Sequence, residues 1–238
     1  MSTRTWHPRG PSADAQIRAL LDGTKTQLRL PMKPQPIHRV VEGLAHVTIG
    51  MDPADDGAIW YDADGKSPGR ELRSPFGRTG DLLSVRETWA EFTDELTDAT
   101  QGTVCYAADS TAQWRCKPAA TERRANGMSA YFPETAIKWR SPVTMPAWAS
   151  RLTLLVIDVR VERLQAISEA DSIASGLLEW SDPPRVTKKY YGATKADVWE
   201  TDPRKAFARL WDATWLKSGF GWDSNPWAWV ANVQRVAK

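Results

Sequence analysis

"ASRLTLLVIDVRVERL" (149–164) is the longest run in the chain that reads as extended backbone. Counting by two places Leu152, Leu154 and Val156 on one side and Leu155, Ile157, Val159 and Val161 on the other. A strand apolar on both sides belongs inside a sheet covered on both faces, and Asp158 and Arg160 mark where one face opens. Helical patterns flank this strand without alternating regularly with others, so a doubly wound parallel sheet is not expected.

Working outward, "SEADSIASG" (168–176) has Ser168 capping a helix, Asp171 three residues on and Gly176 to end it. "TDPRKAFARLWDATW" (201–215) starts with Asp202 and Pro203 and carries a stripe of Phe207, Leu210 and Trp211. "NPWAWVANVQRV" (225–236) reads as a strand. Upstream, "SADAQIRALLDG" (12–23) is a helix from Ser12 to Gly23 with Ile17, Leu20 and Leu21 on one stripe. "PMKPQPI" (31–37) is a proline-interrupted loop. "GDLLSVRETWA" (80–90) reads as one strand, and "GTVCYAAD" (102–109) as another. The expected class is α+β: a small, partly closed mixed β-barrel with about three packed helices. One domain spans 1–238, with insertions near 50–80 (loops around a short strand at 57–63), 110–136 and 179–200.

Apolar residues form 42% of the chain and charged residues 25%, enough for a sizeable core. The net charge of +2 selects no partner, but residues 1–40 hold seven Lys or Arg against two acids. Cys105, Cys116, His7, His38 and His46 lack metal-ligand spacing, so neither a metal nor a cofactor is expected. No apolar leader and no run of about 18 apolar residues is present, so the expectation is a cytoplasmic chain without a membrane partner. Most of the thirteen tryptophans read as core.

Two places carry unusual chemistry. In 80–90, Leu83, Val85, Glu87 and Trp89 share a face, which puts a carboxylate among apolar groups, while Arg86 points the other way. In "LLDGTKTQLRLPMKPQP" (20–36), Lys25, Arg29 and Lys33 follow a helix end. The helix dipole accounts for Lys25 but not for the two cations beyond the last turn, which suit a phosphate or another anion. Thr26 adds a hydroxyl. Phosphate-binding glycine loops, nucleophile elbows and zinc-helix motifs are absent.

Four segments in series, "ALLDGTKTQLRLPMKPQP", "GDLLSVRETWA", the stretch from Lys138 to Leu177, and "AFARLWDATWLKSGFGWDSNPWAWVANVQRV", resemble the ASCH family of the PUA-like superfamily, especially its longer phage and prophage members. The resemblance implies a mixed barrel beside a cleft that holds RNA, DNA or a modified nucleoside. Lys25, Thr26, Arg29 and Arg86 would contact phosphate or base edges, Glu87 would accept from a base, and Trp89 or Trp148 would stack. Some relatives are amidohydrolases of acylated cytidine and others resemble ribonucleases. The amidohydrolase lysine falls on Lys25, while the threonine and glutamate positions hold Leu28 and Ser175. If the chain is an enzyme, Lys25 and Glu87 are the expected catalytic pair. A third expectation is a phage assembly protein with a vestigial pocket.

Overall fold

In a computed structural model the described residues are 2–35, 49–52, 57–60, 72–92, 103–108, 111–114, 138–181, 189–192 and 198–236. His38, His46, Cys116 and most of the 110–136 stretch lie outside them. The elements are β1 (Thr3–Trp6), α1 (Ala13–Asp22), β2 (Gln27–Pro31), β3 (Ile49–Asp52), β4 (Gly57–Trp60), β5 (Leu72–Arg73), β6 (Leu82–Val85), β7 (Trp89–Phe92), β8 (Thr103–Tyr106), β9 (Thr111–Trp114), β10 (Leu152–Arg163), α2 (Glu169–Ala174), β11 (Leu178–Ser181), β12 (Lys189–Gly192), α3 (Pro203–Trp215) and β13 (Trp227–Val236).

The fold is α+β: a strand-rich main sheet with three α-helices among the described residues. The sheet has five strands in the order β1-β6-β10-β13-β2, antiparallel except for the parallel β1–β6 pair. It is open, with β1 and β2 at its edges, and no closed barrel forms among the described residues. Three smaller sheets accompany it: β3-β4-β5, β7-β8-β9 and the β11-β12 hairpin.

β10 corrects the reading of its sequence. Its pairing with β13 slips by one residue between Val156 and Asp158, so Ile157 is a bulge residue, and it is 45% exposed. The extra residue inverts the alternation. Leu152, Leu154 and Val156 therefore share the core face with Val159 and Val161 rather than opposing them. Asp158, Arg160 and Glu162 all move to the second face, where they bond to one another.

The first face carries the main core. Ile17 and Leu20 of α1 pack there with Leu28, Leu83, Val85, Trp229 and Val233. α1 ends at Gly23, whose φ of 84° an alanine would adopt only under strain. The second face is covered by α2 and α3. Phe207, Leu210, Trp211 and Trp215 of α3 pack with Leu164, Leu177, Tyr191 and Ala228. Asp202 caps α3 by accepting the Arg204 N–H, and Ser168 caps α2 by accepting from Asp171.

The 80–90 stretch is two strands rather than one: β6 in the main sheet and β7 in a separate sheet. Its burial still alternates through the break, so Leu83, Val85, Glu87 and Trp89 are all buried. The 179–200 segment, expected to be irregular, contains the β11-β12 hairpin, whose Trp180 and Tyr190 rings lie 5.5 Å apart. No helix of the described residues is long and apolar enough to cross a membrane.

Candidate functional site

Lys25, Arg29 and Lys33 are four residues apart, and the extended backbone through β2 turns all three toward α3. Their fates differ. Lys25 is anchored between two helix ends: its N–H donates to Ala19 O, and Thr26 N–H donates to Ala174 O. Its side chain is buried, and Nζ donates to Ser175 O at 2.6 Å. Gly176, with φ of 94°, makes room for it, since a Cβ there would stand 3.0 Å from Lys25 Cβ. Among the described residues no carboxylate forms an ion pair with this amine. Burial, and then the Arg29 guanidinium, lower its pKa to about 7.

Arg29 is also buried, but two carboxylates pair with it. Glu162 lies 3.0 Å away and Asp171 3.4 Å, and its Nε donates to Gln27 Oε1. Arg160 joins Asp158, Glu162 and Asp171 in the same network, and Gln27 donates to Asp171 and Asn232. Two guanidinium groups thus face three carboxylates, which leaves no net positive charge for a ligand here. Lys33 is exposed at the rim, with its amine 4.9 Å from the Phe220 ring centre and 5.7 Å from that of Trp215.

The space beside Lys25 is a narrow cleft of about 50 Å³. Trp6, Phe207, Trp211 and Trp215 wall it, His7 and Gln16 add polar edges, and exposed Arg9 lies over Trp215 at 5.7 Å. Burial and the neighbouring Arg9 and Arg86 charges depress the His7 pKa, so the imidazole favours its neutral form. The buried Trp6 indole N–H has no partner among the described residues. Trp6, His7 and Arg9 carry no local signal in the sequence, because only the parallel pairing of β1 with β6 brings the N-terminal segment beside α3. Trp211 reads in sequence as core alone, and here it is also a wall of the cleft.

Glu87 is elsewhere. It is 1% exposed and accepts two hydrogen bonds from Arg151, Nε to Oε1 and Nη2 to Oε2, both at 2.8 Å. The Arg151 guanidinium lies 4.0 Å from the Tyr106 ring centre. Trp89 and Trp148 belong to the same cluster, with Val104, Met145 and Ala149. None of Glu87, Trp89 and Trp148 lines the Lys25 cleft. These three therefore lie apart from the cleft, and the expected Lys25–Glu87 pair does not form. Arg86 donates to Val143 O and acts on the cleft only through its charge on His7. Thr26 is exposed and outside the cleft.

Lys25 and Ser175 do come together, as an isolated antiparallel bridge. The Ser175 hydroxyl is spent on Asp171 O, and Leu28 points into the core. No group of three His, Cys, Asp or Glu is placed to hold a metal among the described residues. Comparison with protein-family models, with curated proteins and with solved structures gives no significant match.

The buried amine makes stability depend on pH. Unfolded, Lys25 holds its proton up to about pH 10.4, whereas folded it releases the proton near 7. Between those values the unfolded chain binds the extra proton, so stability rises with pH across the window and the penalty is complete below it. Relative to Lys25→Met, the wild type should lose up to about 1.4 kcal/mol per unit as pH falls from 9 to 7. Urea denaturation of both proteins at several pH values checks this; parallel curves would contradict the burial of the amine.

Proposed function

We propose that this chain is a PUA-like module whose Lys25 cleft receives a base, presented by RNA, by DNA or as a modified nucleoside. The observation that carries the reading is a lysine amine at the floor of a cleft walled by four aromatic side chains, with Arg9 and Lys33 over the Trp215 ring. Aromatic faces stack bases irrespective of sequence. The amine and the Trp6 indole supply hydrogen-bond donors toward base carbonyls, and the two rim cations suit the attached phosphate. The resemblance to the ASCH family supports the same assignment. A cleft of about 50 Å³ holds only a few waters, so a base enters by moving Arg9 off Trp215.

The discriminating variant is Lys25→Met, which keeps the volume and removes the amine. Binding of single-stranded RNA, DNA and free nucleosides should weaken about tenfold, the loss of one charge-assisted hydrogen bond. Stability at pH 7 should increase in the same variant. That opposition separates a binding role from a folding one, and a variant that binds every ligand like the wild type would sink the proposal.

A second reading rests on the same amine. A lysine that is half deprotonated near pH 7 is competent as a nucleophile or general base. It would act on an acylated cytidine or on RNA without a protein carboxylate, since Glu87 is held by Arg151. Turnover of either substrate that Lys25→Met abolishes would favour catalysis; binding without turnover leaves the first reading.

A further inference from the structure

We infer that the outer face of the β11–β12 hairpin is a stacking site for a second nucleobase. Leu178, Glu179, Trp180, Tyr190 and Trp199 line a hollow of about 630 Å³ there, and it shares no residue with the Lys25 cleft. Strand alternation sorts the side chains of the hairpin. Trp180 stands directly opposite Tyr190, and Leu178 opposite Gly192. The antiparallel bridge between Tyr191 and Glu200 places Trp199 opposite Gly192 as well. Leu178, Trp180, Tyr190 and Trp199 therefore share one face, and Gly192 between them adds no side chain to fill it.

The opposite face fixes the hairpin in place. Tyr191 is buried with Phe207 and Trp211 of α3. Its backbone exchanges two hydrogen bonds with Glu200, at 2.7 and 2.9 Å, and the Glu200 carboxylate accepts from Arg209 of α3 at 2.8 Å. The outer rings are thus held on an anchored support and still face water: Trp180 is 48% exposed, and Tyr190 and Trp199 are half-buried. The Trp180 and Tyr190 planes meet at 47°, which gives the hollow an angled aromatic wall. Clustered apolar surface left in water on a fixed element marks a binding site.

Charge, size and position select the occupant. Glu179 is paired with Lys189 at 2.9 Å, so the hollow offers no spare charge to an ion. A neutral flat ring suits it, and every base has a face to stack. Its volume is that of a small-ligand site. A second copy of the chain would need far more surface, roughly 20–30 residues a side. Ser175, whose carbonyl holds the Lys25 amine, comes three residues before Leu178. Three residues of extended backbone span no more than about 11 Å. A strand with one base at Lys25 can therefore lay another on the hairpin. Assigning the ring to such a strand rests on the nucleic-acid reading above; the aromatic site itself does not.

The test titrates a single-stranded DNA 12-mer, and the same 12-mer made abasic, against the wild type, Trp180→Thr, Tyr190→Thr, Tyr190→Phe and Lys25→Met at several salt concentrations. Threonine keeps the strand preference while removing the ring. Trp180→Thr and Tyr190→Thr, on facing strands, should each weaken binding of the normal 12-mer about tenfold, the loss of one base–aromatic stack. The slope of log K against log[salt] should not change, because no phosphate contact is removed. Tyr190→Phe keeps the ring and should bind like the wild type. The abasic 12-mer should bind the wild type and Trp180→Thr equally; an equal loss on both 12-mers would overturn the inference. So would a concentration-dependent dimer in sedimentation that Trp180→Thr dissolves, since the face would then serve self-association. If Lys25→Met weakens binding and both threonine variants do not, the hairpin site is wrong and the base-binding reading stands. If the threonine variants weaken binding and Lys25→Met does not, the hairpin site stands and the Lys25 reading fails.

Discussion

Glu87→Ala is expected to lower the unfolding free energy by about 3–5 kcal/mol, the usual cost of removing one partner from a buried ion pair. The reason is what remains. Arg151 keeps 4% of its side-chain surface exposed and loses two charged acceptors, each at 2.8 Å. The Tyr106 ring beneath it attracts the cation but cannot accept its in-plane N–H groups. Because Tyr106 OH also bonds Ala149 O, the damage extends into the Trp89–Met145 cluster. Urea denaturation measures the loss. A double change, Glu87→Leu with Arg151→Met, should restore most of it, since an apolar pair of similar volume needs no counter-charge. Nucleic-acid binding per folded molecule should stay at the wild-type level in both variants. A binding loss in excess of the unfolded fraction would return Glu87 to the functional site.

Arg29→Ala should cost less, about 1.5–3 kcal/mol, because Glu162 and Asp171 are 23% and 29% exposed and keep Arg160, with a second, distinguishable effect on Lys25. Glu162 and Asp171 would be left to Arg160 alone, and the Gln27 amide oxygen would lose its Arg29 donor. At the same time a like charge beside Lys25 disappears. That guanidinium is the second cause of the depressed Lys25 pKa, after burial. Its removal raises the folded pKa, so the pH window over which Lys25 destabilises the fold narrows from its lower end. Stability measured against pH should therefore start to climb at a higher pH in Arg29→Ala than in the wild type. An unchanged pH profile would mean that the two cations do not feel one another.

How much is legible in the residues differs from element to element. The three helices mostly are, because many of their ends are local events: Asp202 and Ser168 cap, and Gly23 and Gly176 terminate, whereas Ser12, the expected cap of α1, makes no side-chain cap bond. The burial of Glu87 is legible too, since period-two alternation persists across the break between β6 and β7. Its consequence is not, because Arg151 lies 64 residues away and no local pattern announces the pairing. The bulge at Ile157 escapes for a related reason. An apolar residue that merely shifts register looks like one that continues the alternation, and only the pairing with β13 separates the two. The prominence of Lys25 is readable, whereas the roles of its neighbours are not. Arg29 looks available in sequence because its acids, Glu162 and Asp171, lie 133 and 142 residues downstream. The aromatic walls come from both ends of the chain, so the cleft has no contiguous signature.

Finally, β1 has a bearing on how the molecule opens. It is four residues long and is zipped to the rest of the sheet along one side only, by its parallel partner β6. Short edge strands are among the first elements to detach in sub-global fluctuations. Peeling β1 away would carry off Trp6 from the Lys25 cleft, while the ladder from β6 to β2 stayed whole. The aromatic lining of that cleft is thus tied to one hinge-like flap at the edge of the sheet.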